Sequence, residues 1–178
     1  MKKSVLLLFF AGCVATGIFG IGRKIPMNRV NDLGQREGYW RDSLGEGITH
    51  ELYYKGGKKD GLFKCFIRNE LFLFGEYTAD NMSGTWYMFG DEGELRCTID
   101  SIEFNKDSIY TGYPCCRIFC KYKCYCADYY PSGAVKSEGY MVCDEDFMVD
   151  FWEIGEWKYY DESGNLIKTK DYGDRRTP

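Results

Sequence analysis

The cysteines are the residues whose type and spacing could do chemistry. The chain has nine of them, and five lie close together: Cys115, Cys116, Cys120, Cys124 and Cys126. Thiolates bind zinc and other soft metal ions, act as nucleophiles and exchange into disulfides. The first question is therefore whether this cluster holds a metal, is oxidised, or only packs in a core.

The pattern of residue types over 116–126 favours a β-strand over a metal site. Apolar and thiol side chains occupy the even positions, and basic residues occupy three odd ones, which is the alternation of a half-buried strand. Same-face neighbours on one strand lie about 6.5–7 Å apart, whereas zinc with bonds of about 2.3 Å needs its sulfurs closer. No Cys-x2-Cys pair occurs. The spacing therefore predicts no metal site, although a turn, or a neighbouring strand carrying Cys97 or Cys143, could complete one.

Candidates for catalysis are few. His50 is the only histidine, and a cysteine nucleophile usually needs a base to form its thiolate. No segment resembles a phosphate-binding loop, and the acidic segment 144–153 lacks the glycine of an EF-hand calcium loop. We therefore expect a protein that is not an enzyme, with no cofactor and no small-molecule substrate.

The net charge argues against nucleic acid as a partner. It is -4 for the whole chain, and acidic and basic residues are interspersed along the predicted strands. A surface of this kind repels nucleic acid on average. Most of these charges are expected to form solvated strand faces.

The elements that must position these residues follow a repeat with a period of twenty-three residues. A glycine followed two positions later by an aromatic residue occurs at Gly38/Trp40, Gly61/Phe63, Gly84/Trp86 and Gly155/Trp157. Nine positions after the first glycine stands a second one, at Gly47, Gly93 and Gly164, and Gly133 stands nine positions after Cys124. A degenerate unit begins near Cys124, and self-similarity at this length is typical of repeat architectures.

Each period predicts one β-hairpin. Aromatic-rich residues are followed by a polar turn that closes on a glycine, as in Asp-Glu-Ser-Gly at 161–164, and then by a second strand. The second unit has Glu70 at the turn-glycine position, and the neighbouring Asn69 tolerates the left-handed conformation in its place. High tyrosine, phenylalanine and glycine content agrees with an all-β protein. The glycine-aromatic stripe is expected in the core rather than on display.

Two stretches carry a more specific pattern: Leu-Tyr-Tyr-Lys-Gly-Gly-Lys-Lys-Asp-Gly-Leu-Phe-Lys at 52–64 and Gly-Glu-Trp-Lys-Tyr-Tyr-Asp-Glu-Ser-Gly-Asn-Leu-Ile-Lys at 155–168. They resemble MORN-repeat proteins, and more closely the bacterial MORN-repeat-variant group of YwqK-like antitoxins. The resemblance runs from about Gly38 to the C-terminus, with Cys126 in an aromatic position and inserted material at 96–123 and 136–154. It implies an elongated antiparallel sheet of successive hairpins and no shared catalytic residues.

The N-terminus predicts export. Two lysines precede an apolar run with small residues, which is typical of a secretory leader over 1–22. Phe-Ala-Gly-Cys at 10–13 resembles a bacterial lipobox, which implies lipid attachment at Cys13; cleavage near residues 17–20 and an uncleaved anchor stay open. A linker is expected at 23–37 and the repeat domain at 38–178, with units starting near 38, 61, 84, 124 and 155.

With Cys13 assigned to the leader, the remaining cysteines are even in number, which is compatible with disulfides in an oxidising compartment. Buried thiols that pack as small hydrophobic side chains are the alternative, and a metal site is the third. These three interpretations stay open.

The sequence therefore predicts a lipid-anchored protein of the bacterial cell envelope that binds or scaffolds an unidentified protein. An antitoxin or immunity protein for a cognate toxin is one alternative, implied by the family resemblance. A module that contacts membrane or cell wall is another, although excess negative charge disfavours anionic lipid.

Overall fold

The structure is a computed structural model that describes residues 26–106, 110–111, 118–144 and 151–173. The predicted leader with Cys13, and Cys115 and Cys116 of the cysteine cluster, lie outside the described residues. Within the described residues, no helix is long and apolar enough to cross a membrane.

Eleven antiparallel strands form one open sheet, and a short separate hairpin accompanies them, which confirms the predicted all-β sheet of successive hairpins. The strands are Arg29–Val30 (β1), Arg36–Gly45 (β2), Ile48–Lys55 (β3), Lys58–Ile67 (β4), Glu70–Thr78 (β5), Asn81–Phe89 (β6), Leu95–Phe104 (β7), Tyr110–Thr111 (β8), Ile118–Phe119 (β9), Tyr122–Tyr129 (β10), Val135–Cys143 (β11), Phe151–Tyr160 (β12) and Leu166–Asp171 (β13). The large sheet follows chain order except that β10 pairs with β7, and β8 pairs with β9.

The predicted units correspond to the hairpins β2–β3, β4–β5, β6–β7, β10–β11 and β12–β13. In the last of them, the Asp161 carboxylate accepts hydrogen bonds from the backbone N–H groups of Ser163 and Asn165, both at 2.9 Å. Gly164 has a φ of 82° there, as the turn requires. Asn69 takes the same left-handed region in the second unit, with a φ of 75°, as predicted.

The first glycine of a repeat unit lies in a bulge within a strand, as Gly84 and Gly155 show. In β6, Gly84 has a φ of 64°, and residues 84–86 together oppose the single residue Gly75 of β5. This bulge of three residues opposite one places the indole of Trp86 where its N–H donates to the carbonyl oxygen of Ser83 at 3.2 Å. In β12, residues 155–157 oppose Gly139 in the same way. The period therefore repeats a bulge as well as a turn.

Each bulged tryptophan lies flat on a glycine of the preceding strand. A Cβ on Gly75 would meet the Trp86 ring at 2.1 Å, and one on Gly139 would meet the Trp157 ring at 2.6 Å. Only glycine allows the ring this close to the backbone. The indoles therefore cover the sheet face instead of standing away from it.

One face of the sheet forms the main core, with the aromatic stripe inside it. Phe63, Trp86 and Trp157 are 6%, 1% and 4% exposed, and Trp40 is half-buried at one end. The ring centres of Phe63 and Trp86 are 5.5 Å apart above Gly75. Contacts run chiefly between neighbouring strands, as in other repeat folds.

The structure moves three predicted boundaries. The sheet begins at Arg29, inside the predicted linker 23–37. Much of the predicted inserted material at 96–123 and 136–154 belongs to β7, β11 and β12. Among the described residues of these two stretches, only 105–106, 110–111, 118–121 and 144 lie outside the strands of the large sheet. The reason is that the strands are mostly eight to ten residues long, so they extend beyond the few positions that are repeated from unit to unit.

Candidate functional site

Four cysteines meet on the core face where β7, β10 and β11 lie side by side. The Sγ atoms of Cys97 and Cys126 are 3.2 Å apart, and those of Cys124 and Cys143 are 3.6 Å apart. These thiols are 7% exposed or less, and none of the four takes part in a disulfide. The neighbouring strands thus bring Cys97 and Cys143 to the cluster, the arrangement that one straight strand could not make alone.

Cys120 is not part of this group, and the expectation that all the even positions share one face is wrong there. Cys120 packs with Val142 and Ile154 in a small second cluster. Val142 pairs with Lys123 on the opposite face from Cys124. The alternation fails because residues 120–121 lie between β9 and β10 and belong to neither strand, so the two-residue period does not continue through them.

A pocket of about 310 Å³ opens beside Cys97 and Cys126. Trp157 and Tyr159 of β12, together with Met141, line its other sides. Cys126 pairs with Gly139 across β10 and β11, so it holds the place that Phe63 holds beside Gly75. The pocket exists because a thiol stands where a regular unit has an aromatic ring.

Asp128 completes a group of three side chains at this pocket. The two sulfur atoms of Cys97 and Cys126 and a carboxylate oxygen of Asp128 all lie within 4.8 Å of one another. The hydroxyl of the buried Ser137 donates to Asp128 Oδ2 at 2.9 Å and orients the carboxylate. Sequence reasoning missed Asp128, although a carboxylate two positions from a core thiol on the same strand face was a usable signal.

Pairing and burial raise the pKa of two of the thiols, those of Cys126 and Cys124. The hydrogen bond with Cys97 and then burial raise the pKa of Cys126, and the hydrogen bond with Cys143 and then burial raise the pKa of Cys124. His50 lies on β3, with its ring centre 5.1 Å from that of Phe63, and the pocket-lining residues do not include it. The raised pKa values of Cys124 and Cys126 therefore disfavour a role of these two thiols as nucleophiles.

The acidic segment 144–153 is only partly within the described residues. Glu145, Asp146 and Asp150 lie outside them. Glu153 lines the pocket from β12, which the sequence did not predict.

The other face of the sheet carries aromatic pairs between adjacent strands. Ring centres are 5.4 Å apart in Tyr39–Tyr53, 6.1 Å in Phe74–Tyr87 and 5.2 Å in Tyr125–Tyr140. Two of these rings, those of Tyr53 and Tyr140, are 40% and 46% exposed. We call this surface the outer face.

A recess of about 260 Å³ lies at one end of the outer face, between Tyr39, Glu51, Tyr53, Leu62 and Lys64. Leu62 is 46% exposed there. Partial burial, followed by the hydrogen bond with Glu51, raises the pKa of Tyr39 to about 12. The tyrosine thus stays a neutral donor at every physiological pH, between one acidic and one basic side chain.

Comparisons with known proteins add no relative to this geometry. No family model matches the chain, and no curated protein or solved structure is significantly similar to it. The resemblance to MORN-repeat proteins therefore stays a prediction. The structural evidence on function comes from the pocket beside Cys97 and Cys126 and from the recess on the outer face.

Proposed function

We propose that this chain is an exported protein-binding module that holds its partner on the outer face. The observation that carries the proposal is the recess between Tyr39, Tyr53 and Leu62, flanked by Glu51 and Lys64. An apolar, aromatic centre with a charged rim is the usual anatomy of a protein interface. Tyrosine is also enriched among the residues that dominate binding energy.

The difference between the two faces of the sheet supports binding at the outer face. Apart from the pocket beside Cys97 and Cys126, the core face is packed with its own rings and thiols, so it chiefly supplies stability. The outer face keeps partly exposed aromatic pairs along several strands. A surface of hairpin repeats of this kind offers one partner a long contact.

Export and anchoring rest on the leader. Its lysines, apolar run and Phe-Ala-Gly-Cys segment support attachment to the bacterial envelope through lipid on Cys13. Metabolic labelling with a lipid analogue should mark the wild type and leave Cys13→Ala unmarked. Equal labelling of both proteins would contradict the anchor.

Crosslinking in intact cells tests the binding face, with the full-length chain and two matched variants. Leu62→Asp places a charge in the recess, whereas Leu166→Asp places the same charge on β13 at a leucine that is 55% exposed. A partner crosslinked to the wild type should persist with Leu166→Asp and be lost with Leu62→Asp. A partner retained by both variants, or no crosslinked protein at all, would contradict the proposal.

The antitoxin or immunity function is a second candidate, supported by the resemblance of residues 52–64 to YwqK-like proteins. Those residues include Tyr53, Leu62 and Lys64 of the recess. If the partner is a toxin, co-expression with the wild type should protect cells and co-expression with Leu62→Asp should not. Failure of the wild type to protect against the crosslinked partner would exclude this function and leave binding intact.

A further inference from the structure

The geometry points to a metal site that the sequence did not predict: we propose that Cys97, Cys126 and Asp128 bind one divalent d10 cation of the Zn²⁺ class. The pocket would face the fourth coordination position. The proposal concerns the core face and does not depend on protein binding at the outer face.

The donor atoms are close to the distances that tetrahedral zinc requires. Zinc–sulfur bonds of about 2.3 Å at tetrahedral angles place two sulfurs about 3.7 Å apart. The Sγ atoms of Cys97 and Cys126 are 3.2 Å apart, and a carboxylate oxygen of Asp128 lies within 4.8 Å of both. Cys97 and Asp128 are paired across β7 and β10, and Cys126 is the next same-face residue on β10, so an ion could take all three donors without a change of strand register.

The same register disfavours a disulfide between the two thiols. Cys97 pairs with Asp128, and Cys126 pairs with Ile99, so the cysteines are diagonal neighbours across β7 and β10. Diagonal neighbours are typically about 7–8 Å apart at Cα, whereas disulfides usually need about 4.4–6.8 Å. An ion that binds both sulfurs accommodates a larger Cα separation than an S–S bond does.

The surroundings of the donors resemble those of metal sites. Ser137, which is 5% exposed, donates to Asp128 Oδ2 and fixes the carboxylate, as the groups around metal ligands commonly do. The pocket gives an ion and its fourth ligand access from solvent, which is typical of open zinc sites. Among the described residues, this is the one group of three such ligands that the structure brings together.

Metal binding must displace the thiol protons. Each thiol must lose its proton to bind the ion, so protons compete with the ion for both sulfurs. The apparent affinity should therefore rise steeply with pH, and binding should release protons into a weakly buffered solution.

The test is a titration of the full-length chain, purified in detergent under reducing conditions, with Cd²⁺ as a spectroscopic probe. One equivalent should produce a thiolate-to-metal charge-transfer band, and Zn²⁺ should displace it. Cys97→Ser and Cys126→Ser should each weaken binding by about 100-fold or more, and Asp128→Asn by about 10-fold. Asp128→Asn keeps the size of a half-buried side chain, so it tests the site without disturbing the fold.

Matched cysteine variants identify the site. Cys65→Ser removes another buried thiol of the core, and the double variant Cys115→Ser/Cys116→Ser removes two thiols of the sequence cluster; both should bind Cd²⁺ as the wild type does. Loss of binding in either, or unchanged binding in folded Asp128→Asn and Cys126→Ser, would overturn the proposal. So would a Cys97–Cys126 disulfide in protein isolated without reductant from its native envelope.

Discussion

Two places in the sheet have the same tryptophan packed on a glycine, but only one of them has a second aromatic ring beside it. In the regular unit, Phe63 and Trp86 meet above Gly75, with ring centres 5.5 Å apart. In the degenerate unit, Cys126 and Trp157 flank Gly139, and a pocket of about 310 Å³ opens between them. The tryptophan and its underlying glycine are kept, whereas the second aromatic ring is not.

The difference teaches that a repeat fold can give up one core ring without losing its register. Each hairpin contacts chiefly its neighbours, so a local loss of packing does not spread through the sheet. The next same-face position changes as well, because Cys65 follows Phe63 in the regular unit and Asp128 follows Cys126 in the degenerate one. The positions of a packing pair in one unit thus hold two of the three proposed metal ligands in the other.

The largest expected effect is at the regular tryptophan. Trp86→Ala should destabilise the fold by about 3–5 kcal/mol, because it removes a fully buried ring from contact with Phe63 and Tyr77. Trp157→Ala should cost less, since one side of its ring already borders the pocket. Denaturant unfolding of both variants measures the difference. A larger loss for Trp157→Ala would break the comparison.

Exchanging the differing residue tests the comparison directly. Phe63→Cys should destabilise the fold by about 2–4 kcal/mol, because it opens a cavity in the regular unit. Cys126→Phe should change the free energy of unfolding by less than about 1.5 kcal/mol, because the ring enters existing space. The same denaturant experiment applies. Strong destabilisation by Cys126→Phe would show that the two units are not equivalent there.

The glycine beneath the tryptophan comes next. Gly75→Ala should cost about 1–3 kcal/mol, because its Cβ would lie 2.1 Å from the Trp86 ring and displace it. In a Trp86→Ala background the clash is gone and the cost should fall below about 1 kcal/mol. A double-mutant cycle gives both numbers. Additive costs would mean that the ring does not need this glycine.

The bulge glycine should have the smallest effect. Gly84 has a φ of 64°, and a Cβ there would meet no atom within 4 Å, so Gly84→Ala should cost about 1–2 kcal/mol from backbone strain alone. Gly84→Asn should cost less, because asparagine tolerates this conformation. At the degenerate unit, the bulge lies not on its first strand, β10, but on the strand paired with it, β7, at Ser101 with a φ of 51°. Thermal unfolding of the two variants compares them, and an asparagine cost equal to that of alanine would argue against strain.

Much of the fold followed from spacing, and the site followed only in part. The period predicted the hairpins and the turn at Asn69, and alternation predicted the burial of Tyr122, Cys124 and Cys126. It failed at Cys120, where the strand is interrupted. The pairing of Cys97 with Cys126 could not be predicted, because each bulge shifts the register of every residue beyond it.

The sequence by itself determined the local geometry of this protein: which residues turn, which bend within a strand and which side chains share a strand face. These properties depend on the conformational range of glycine and asparagine and on the two-residue period of a strand. The tertiary structure decided what meets across strands, including the flat tryptophans on Gly75 and Gly139 and the group of Cys97, Cys126 and Asp128. Those contacts depend on which residues pair between neighbouring strands, and successive bulges shift that pairing along the sheet. No single repeat unit determines it.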